Sequence, residues 1–316
     1  MSGTVSWSGV FPAVTTQFRP DFSLDVEATA SVMTKLIADG VSGLIVCGTV
    51  GEGCSLTRQE KLAVMEAAVD VGKGRVPVLV GVAEFTTDQA RELAREAVTT
   101  GVDGLMVLPA MAYSAKAQEA DAHFRGVASA SDLPIMIYNN PPLYRVDVTP
   151  DILASLADVD TIVSIKESSG DTRRFVDLRN KVGGRFIPFC GLDDVILESV
   201  MLGAVGWVSG MANAFPREGE MLFRLARQGE LTGARALYDW FMPLLHLDAR
   251  SDLVQCIKLC EHLAGRGSPL TRLPRLALEG AEKAEVEAIM AAALSSRPKL
   301  TDTGLEPNMA ASSAGA

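Results

Sequence analysis

The sequence predicts an α/β fold built from eight strand–helix units, and three observations carry that expectation. A phrase recurs: "ADGVSGLIVCGT" (38–49), "TTGVDGLMVLPA" (99–110) and "LGAVGWVSGMAN" (202–213) each end a helical pattern, pass a glycine turn and enter an apolar run. Eight such runs follow one another, mostly ~25–30 residues apart with helical patterns between them, as the alternating elements of a parallel sheet require. Finally, no G-x-G-x-x-G opens a first helix, which disfavours an open doubly wound sheet. Eight units closing on themselves make a (β/α)8 TIM barrel.

In chain order, the strands are expected in "GVFPAVTTQF" (9–18), the first copy of the phrase, "RVPVLVGVAE" (75–84) and the second copy. "LPIMIYNNP" (133–141), "TIVSIKESS" (161–169), "RFIPFCG" (185–191) and the third copy supply the rest. Their β-branched, nearly unbroken apolar character suits strands buried on both faces. Helix starts have their own chemistry. Thr57 with Glu60, and Thr86 with Gln89, fit the capping box. Thr149-Pro150 fits an N-cap followed by proline in the first turn. Residues 215–228 supply the last barrel helix, and helical patterns continue in "GARALYDWFMPLL", "LVQCIKLCEHLAG" and "KAEVEAIMAAAL". The expected organisation is a catalytic barrel over 1–230 and a C-terminal helical extension over 231–296. Residues 297–316, ending "MAASSAGA", have the composition of a disordered tail.

Composition narrows the function classes. A net charge of -10 without any basic block disfavours a nucleic-acid partner. The N-terminus lacks a basic segment followed by an apolar stretch, and no apolar run approaches the ~18 residues of a membrane span. Five cysteines without framework spacing fit reduced thiols and a cytoplasmic location. His123, His246 and His262 are the only histidines, and no two sit at ligand spacing, so no metal site is expected.

In a barrel of this kind the chemistry belongs at the carboxyl ends of the strands. After strand 2, "CGTVGEGCSLT" offers glycines that let backbone N–H groups approach a small carboxylate, or is simply a tight turn. After strand 5, alternation puts Met136, Tyr138 and Asn140 on one face. Tyr138 there is either an amphipathic cap or a proton relay. On strand 6, Ile162, Ser164, Lys166 and Ser168 share a face, with Val163, Ile165 and Glu167 on the other. An inward Lys166 would stand beside Tyr138, where an amine held out of water is favoured in its uncharged, nucleophilic form. The competing reading pairs Lys166 with Glu167, which opposite alternation makes awkward. After strand 7, Gly191 permits close backbone approach, and Asp193 or Asp194 reads as a helix N-cap. Cys47, Cys54 and Cys190 read as small packing residues, and Cys256 and Cys260 as core, with Lys258 between them facing solvent.

"GTVGE", "YNNP" and "IKESSGD", in that order after strands 2, 5 and 6, resemble the dihydrodipicolinate synthase and N-acetylneuraminate lyase superfamily, over roughly residues 8–296. The resemblance implies a (β/α)8 barrel, a dimer or tetramer, and a Schiff base between the strand-6 lysine and a 2-oxo acid. By that likeness Lys166 forms the Schiff base, Tyr138 shuttles protons and Thr49 adds a hydroxyl to the relay. The amides around Thr49 and Val50 hold the substrate carboxylate. Gly48, Gly191 and Val208 are further candidate substrate contacts, and Asn140, Ser168 and Ser209 are candidates for the substrate hydroxyl. No metal or organic cofactor is implied. Val50 and Leu143 stand where the synthase has a second threonine and an arginine for a second carboxylate, with Arg145 displaced by two positions. Met111 lies near the position of the synthase's strand-4 loop tyrosine, with Tyr113 displaced. The wider pattern is most like Δ1-pyrroline-4-hydroxy-2-carboxylate deaminase, through "GVFPAVTTQF", "GVDGLMVLPAM", "PIMIYNNP" and "WFMPLLHLD" besides the core motifs. That branch implies a cyclic imino acid as substrate and ammonia with 2,5-dioxopentanoate as products. A 2-keto-3-deoxy sugar acid dehydratase, and a 2-oxo acid (pyruvate-type) aldolase or dihydrodipicolinate synthase of the same superfamily, are the alternatives.

Overall fold

All eight apolar runs become strands in the computed structural model, which describes residues 5–301, 304 and 305. They are β1 (Gly9–Pro12), β2 (Leu44–Val46), β3 (Val78–Val82), β4 (Gly104–Val107), β5 (Ile135–Asn139), β6 (Ile162–Glu167), β7 (Ile187–Cys190) and β8 (Gly206–Ser209). Every pairing is parallel, in the order β1-β8-β7-β6-β5-β4-β3-β2. A bridge between Ala13 and Ile45, with Val14 N–H donating to the Ile45 carbonyl at 2.9 Å, closes the ring between β1 and β2. The fold is a (β/α)8 barrel.

The helices are α1 (Val26–Ala38), α2 (Arg58–Gly72), α3 (Thr87–Thr100), α4 (Ala117–Ala128), α5 (Pro141–Tyr144), α6 (Pro150–Ser155), α7 (Arg174–Val182), α8 (Ile196–Met201) and α9 (Pro216–Gln228). The extension adds α10 (Leu231–Leu245), α11 (Leu253–Leu263) and α12 (Gly280–Ser295). Thr57 forms the full capping box with Glu60, and Thr86 and Thr149 accept from Gln89 N and Ile152 N. None of the described helices is long and apolar enough to cross a membrane.

Two apolar layers result from strands buried on both faces. Leu36, Met65, Phe124, Val80, Ile137 and Ile165 belong to the layer between strands and helices. Phe11, Ile45, Leu79, Met106, Met136 and Phe189 belong to a second cluster, which continues into the extension. A Cβ on Gly206 would lie 2.1 Å from the Phe189 ring, so glycine there makes room for an aromatic plug. Phe215 meets Trp240 and Phe241 edge-on, with centroids at 5.6 and 5.9 Å, and so joins the barrel to α10.

Three sequence expectations need amendment here. Ile162 does not share the face of Ser164 and Lys166: the register steps from Ile135↔Ile162 to Met136↔Ser164. The unpaired Val163 is a bulge that turns Ile162 into the strand–helix layer. Lys258 does not face solvent but is fully buried. Helix α11 is covered all round, with Ile257, Leu259 and Glu261 buried beside the expected Cys256 and Cys260, so its phase selects no wet face. Of the tail, residues 302, 303 and 306–316 lie outside the described residues. Its first part is anchored, Arg297 Nε donating to Glu218 Oε1 at 2.6 Å and Leu300 bridging Leu305.

Candidate active site

Lys166 and Tyr138 are direct partners in the β5–β6 register, and Phe189 flanks Lys166 on the other side. The lysine is 6% exposed, its Nζ lying 3.8 Å from the centroid of the Tyr138 ring. Glu167 faces away: its carboxylate accepts from Asn139 Nδ2 at 2.9 Å and from Ser169 N at 2.6 Å. Lys166 therefore has no ion pair with its neighbour in the chain. Burial raises the Glu167 pKa despite those donors.

The Lys166 stem passes over Gly191. A Cβ there would stand 2.6 Å from Lys166 Cγ and 2.0 Å from Ser168 Oγ, so only glycine leaves the lysine its path. Asn140 caps α5, accepting from Leu143 N at 3.1 Å while its Nδ2 donates to the Tyr138 hydroxyl at 3.0 Å. Beyond β2, Cys47 and Glu52 both adopt left-handed φ (55° and 51°), a costly conformation for residues with side chains. The turn they frame presents Thr49, whose hydroxyl lies 2.5 Å from the Tyr144 hydroxyl. Tyr144 in turn packs edge-on to Tyr138, with ring centroids 5.8 Å apart. Burial pushes the Tyr144 phenol up from its ordinary pKa, and the nearby Tyr138 adds to the effect.

One cavity at the barrel mouth is lined by Thr49, Val50, Tyr138, Asn140, Lys166, Gly191 and Val208, seven of the ten residues singled out from the sequence. Gly48 packs instead towards Met106, where a Cβ would lie 3.2 Å from Cε. Ser209 donates to Asp193 Oδ2 at 3.1 Å and accepts from Ala212 N at 3.0 Å, so its hydroxyl is already committed. Ser168 is buried outside the lining, its hydroxyl without a hydrogen-bond partner among the described residues. Cys47 and Cys190 are buried, which pushes both thiols up to about 12. Cys54, read as a packing residue, is exposed.

Two residues of the site carried no signal in the sequence reading. Tyr144 is one; the other is Asp248, which lines the same cavity from the turn His246–Ala249 after α10. Asp193 is not the N-cap it resembles. Its buried carboxylate accepts from Trp207 Nε1 at 2.9 Å, Ser209 Oγ and Met211 N at 2.7 Å, tying β8 and the following turn to the end of β7. Asp193 N–H donates to Asp248 Oδ2 at 3.4 Å. Burial raises both acids. Asp193 goes well above the carboxylate range, with Asp248 adding to the effect, and Asp248 is pushed up to about 6 although the Lys166 charge pulls it down. Arg275 lines the adjoining cavity with Thr49, Leu143 and Tyr144. Among the described residues no three His, Cys, Asp or Glu side chains are grouped to hold a metal.

The sequence matches the Dihydrodipicolinate synthetase family over residues 6–293. It is 32% identical over 285 residues to the 4-hydroxy-tetrahydrodipicolinate synthase of Methanothrix thermoacetophila, across 89% of this chain and 95% of that protein. Over 284 residues it is 33% identical to an Escherichia coli K12 protein named as a probable 2-dehydro-3-deoxy-D-pentonate aldolase, across 88% and 94%. Of solved structures, a dihydrodipicolinate synthase of Bacillus anthracis superposes with a TM-score of 0.88 at 26% identity, covering 94% of this chain and 100% of that one. A prophage protein of Escherichia coli K12 from the dihydrodipicolinic acid synthase family, in complex with pyruvate, superposes at 0.86 with 28% identity and coverages of 92% and 99%. The chain belongs to the dihydrodipicolinate synthetase family, and it is an enzyme of that family.

Proposed function

We propose that the protein is a Schiff-base lyase that deaminates Δ1-pyrroline-4-hydroxy-2-carboxylate, with loss of water, to 2,5-dioxopentanoate and ammonia. The observation that carries this reading is the charge pattern of the mouth: beside Lys166 its lining holds one acid, Asp248, and no arginine. Leu143 and the exposed Arg145 supply no cation there for a second substrate carboxylate, as condensation with a second acid substrate would require.

The chemistry follows from the neighbours of Lys166. Its uncharged amine attacks the imine carbon, and expulsion of the ring nitrogen leaves a lysine-bound iminium and a free primary amine. The iminium acidifies the adjacent carbon, Tyr138 removes that proton, and the hydroxyl at the next carbon leaves as water. Elimination leaves a C3–C4 double bond conjugated to the iminium. Loss of a proton from C5 and protonation at C3 move it to C4–C5, and the resulting enamine tautomerises to an imine. Hydrolysis there releases ammonia, and hydrolysis at Lys166 releases the dicarbonyl acid. Backbone amides at Thr49 and Val50 hold the carboxylate.

A second reading, cleavage of a 2-keto-3-deoxy acid by the same lysine, is favoured by the aldolase named among the relatives and by the pyruvate complex of the prophage protein. Assaying the pyrroline, keto-deoxy sugar acids and pyruvate with aldehydes side by side separates them. Stoichiometric ammonia from the pyrroline is expected, and turnover of keto-deoxy acids alone replaces the deaminase with the second reading. Borohydride with substrate should trap an adduct that Lys166→Ala abolishes; full turnover by Lys166→Ala refutes both.

A further inference from the structure

We propose that Arg275 is the anion-selecting residue of the entry path, drawing a carboxylate-bearing substrate through the cavity beside the reactive one and passing it to the Thr49 turn. The proposal rests on Lys166 as the nucleophile, but not on which carboxylate it attacks.

Two connected spaces make up the mouth. The cavity around Lys166 has a volume of about 20 Å³, room for about one water. The adjoining cavity has about 200 Å³, and Thr49 and Leu253 line both. A substrate of several carbons joined to Lys166 therefore arrives through the wider space and stays partly within it. Met111, Leu143, Tyr144 and Leu253 make much of that wall apolar. Its one charged group is Arg275, with no acid among its described lining residues. The field of a chain with net charge -10 repels a carboxylate, so a local cation on the route governs the approach.

Arg275 is available for this task while its neighbours are committed. The side chain is half-buried, and its guanidinium has no hydrogen bond or ion pair among the described residues. By contrast, Arg272 donates to Glu60 Oε2 at 2.8 Å and to the Ser55 carbonyl at 2.9 Å. Arg250 pairs with Asp252 and Glu285 at 2.8 and 3.0 Å. Arg272 also fixes the segment that carries Arg275. Its backbone N–H donates to Glu52 Oε2 at 2.9 Å and its carbonyl accepts from Arg275 N at 3.2 Å, which ties that segment to the turn presenting Thr49. Burial raises the Tyr144 phenol and the Cys54 thiol, and the Arg275 charge opposes the rise in both, so its field spans the cavity. A guanidinium without a protein partner offers a carboxylate two parallel N–H donors. No bond is made or broken at Arg275. Because the carboxylate moves on to the Thr49 turn, Arg275 acts on capture and leaves the later steps alone.

The test measures borohydride trapping at Lys166 by mass spectrometry, with pyruvate and its uncharged methyl ester as probes. At low salt, Arg275→Gln should lower the second-order trapping rate of pyruvate on the order of 10-fold and leave the rate at saturating pyruvate unchanged. The loss should shrink to about twofold near 1 M salt, where the screening length is about 3 Å. Arg275→Lys should keep most of the rate. The methyl ester, which lacks the charge, should react alike with wild type and Arg275→Gln. Calorimetric titration with inorganic phosphate should show wild type binding about 10-fold more tightly than Arg275→Gln. Circular dichroism melts show whether each variant is folded. Equal pyruvate rates in wild type and folded Arg275→Gln, or an equal loss with the methyl ester, overturn the proposal. A wild-type protein trapped by neither probe instead overturns the Schiff-base reading, and equal phosphate affinities then overturn the role of Arg275 independently.

Discussion

The buried pair of Lys258 and Glu52 makes a quantitative prediction. Lys258 Nζ donates to Glu52 Oε1 and to the Thr16 carbonyl, each at 2.8 Å, and both side chains are fully buried. Burial lowers the Lys258 pKa, with Glu52 opposing the shift. Glu52 also accepts from Arg272 N at 2.9 Å, and its own N–H donates to the Thr49 carbonyl at 3.1 Å, so the pair underpins the turn that presents Thr49. Lys258→Met removes the cation and leaves a buried carboxylate with one backbone donor. Stranding one partner of such a pair costs about 3–5 kcal/mol. With an unfolding entropy of about 2 cal/mol/K per residue over about 300 residues, that corresponds to a Tm lower by about 5–8 °C. The double variant Lys258→Met/Glu52→Gln should recover most of the loss, because no charge is left unpaired. Calorimetry on the three proteins at one pH measures both effects. A single variant within about 1 kcal/mol of wild type, or a double variant worse than the single one, refutes the assignment of this pair as the anchor of the turn.

Other perturbations report on the site and its support. Tyr138→Phe should lower kcat on the order of 10²–10⁴-fold while leaving borohydride trapping intact, because the proton transfer follows adduct formation. Trapping lost together with kcat would contradict that order. Gly191→Ala should abolish trapping by driving a methyl into the Lys166 stem, and should destabilise the fold by about 1–3 kcal/mol; unaltered trapping would show that the stem has another path. Glu261, bonded to Thr15 Oγ1 at 2.7 Å, is pushed up to about 7 by burial from a usual value of 4.5. Its folded form therefore holds a proton that the unfolded chain releases, so its contribution to stability falls as pH rises from about 4.5 to 7 and is flat above. Glu261→Gln should thus gain on wild type across that window, reaching on the order of 3 kcal/mol at pH 8, and denaturant melts showing a pH-independent difference would refute this.

Much of this architecture was legible because parallel strands buried on both faces leave unbroken apolar runs, and the glycine turns that feed them repeat. The adjacency of Lys166 and Tyr138 followed from strand alternation and sequential pairing, and the register bears it out. Alternation failed at Ile162, because a bulge inserts one residue and nothing local in "TIVSIK" announces it. Helical phase failed at Lys258, since it assumes one wet face and α11 has none. Asp248 was out of reach for a different reason. It contacts Asp193 across 55 residues, from a short turn whose period points nowhere, and only the docking of the extension brings it to the barrel mouth. Tyr144 was hidden by the left-handed Arg145 that follows it and ends the short helix α5.

The anchoring of Glu52 has a consequence for biosynthesis. Its cation stands 206 positions later in the chain. A nascent chain that has emerged through β8 has all eight strands available, yet the turn under Thr49 then carries an acid with no counterion to bury against. Completion of the reactive end of the cylinder is thereby deferred until α11 has left the ribosome. Emergence of α11, rather than closure of the sheet, times the first moment at which the turn under Thr49 can be buried with its charge neutralised.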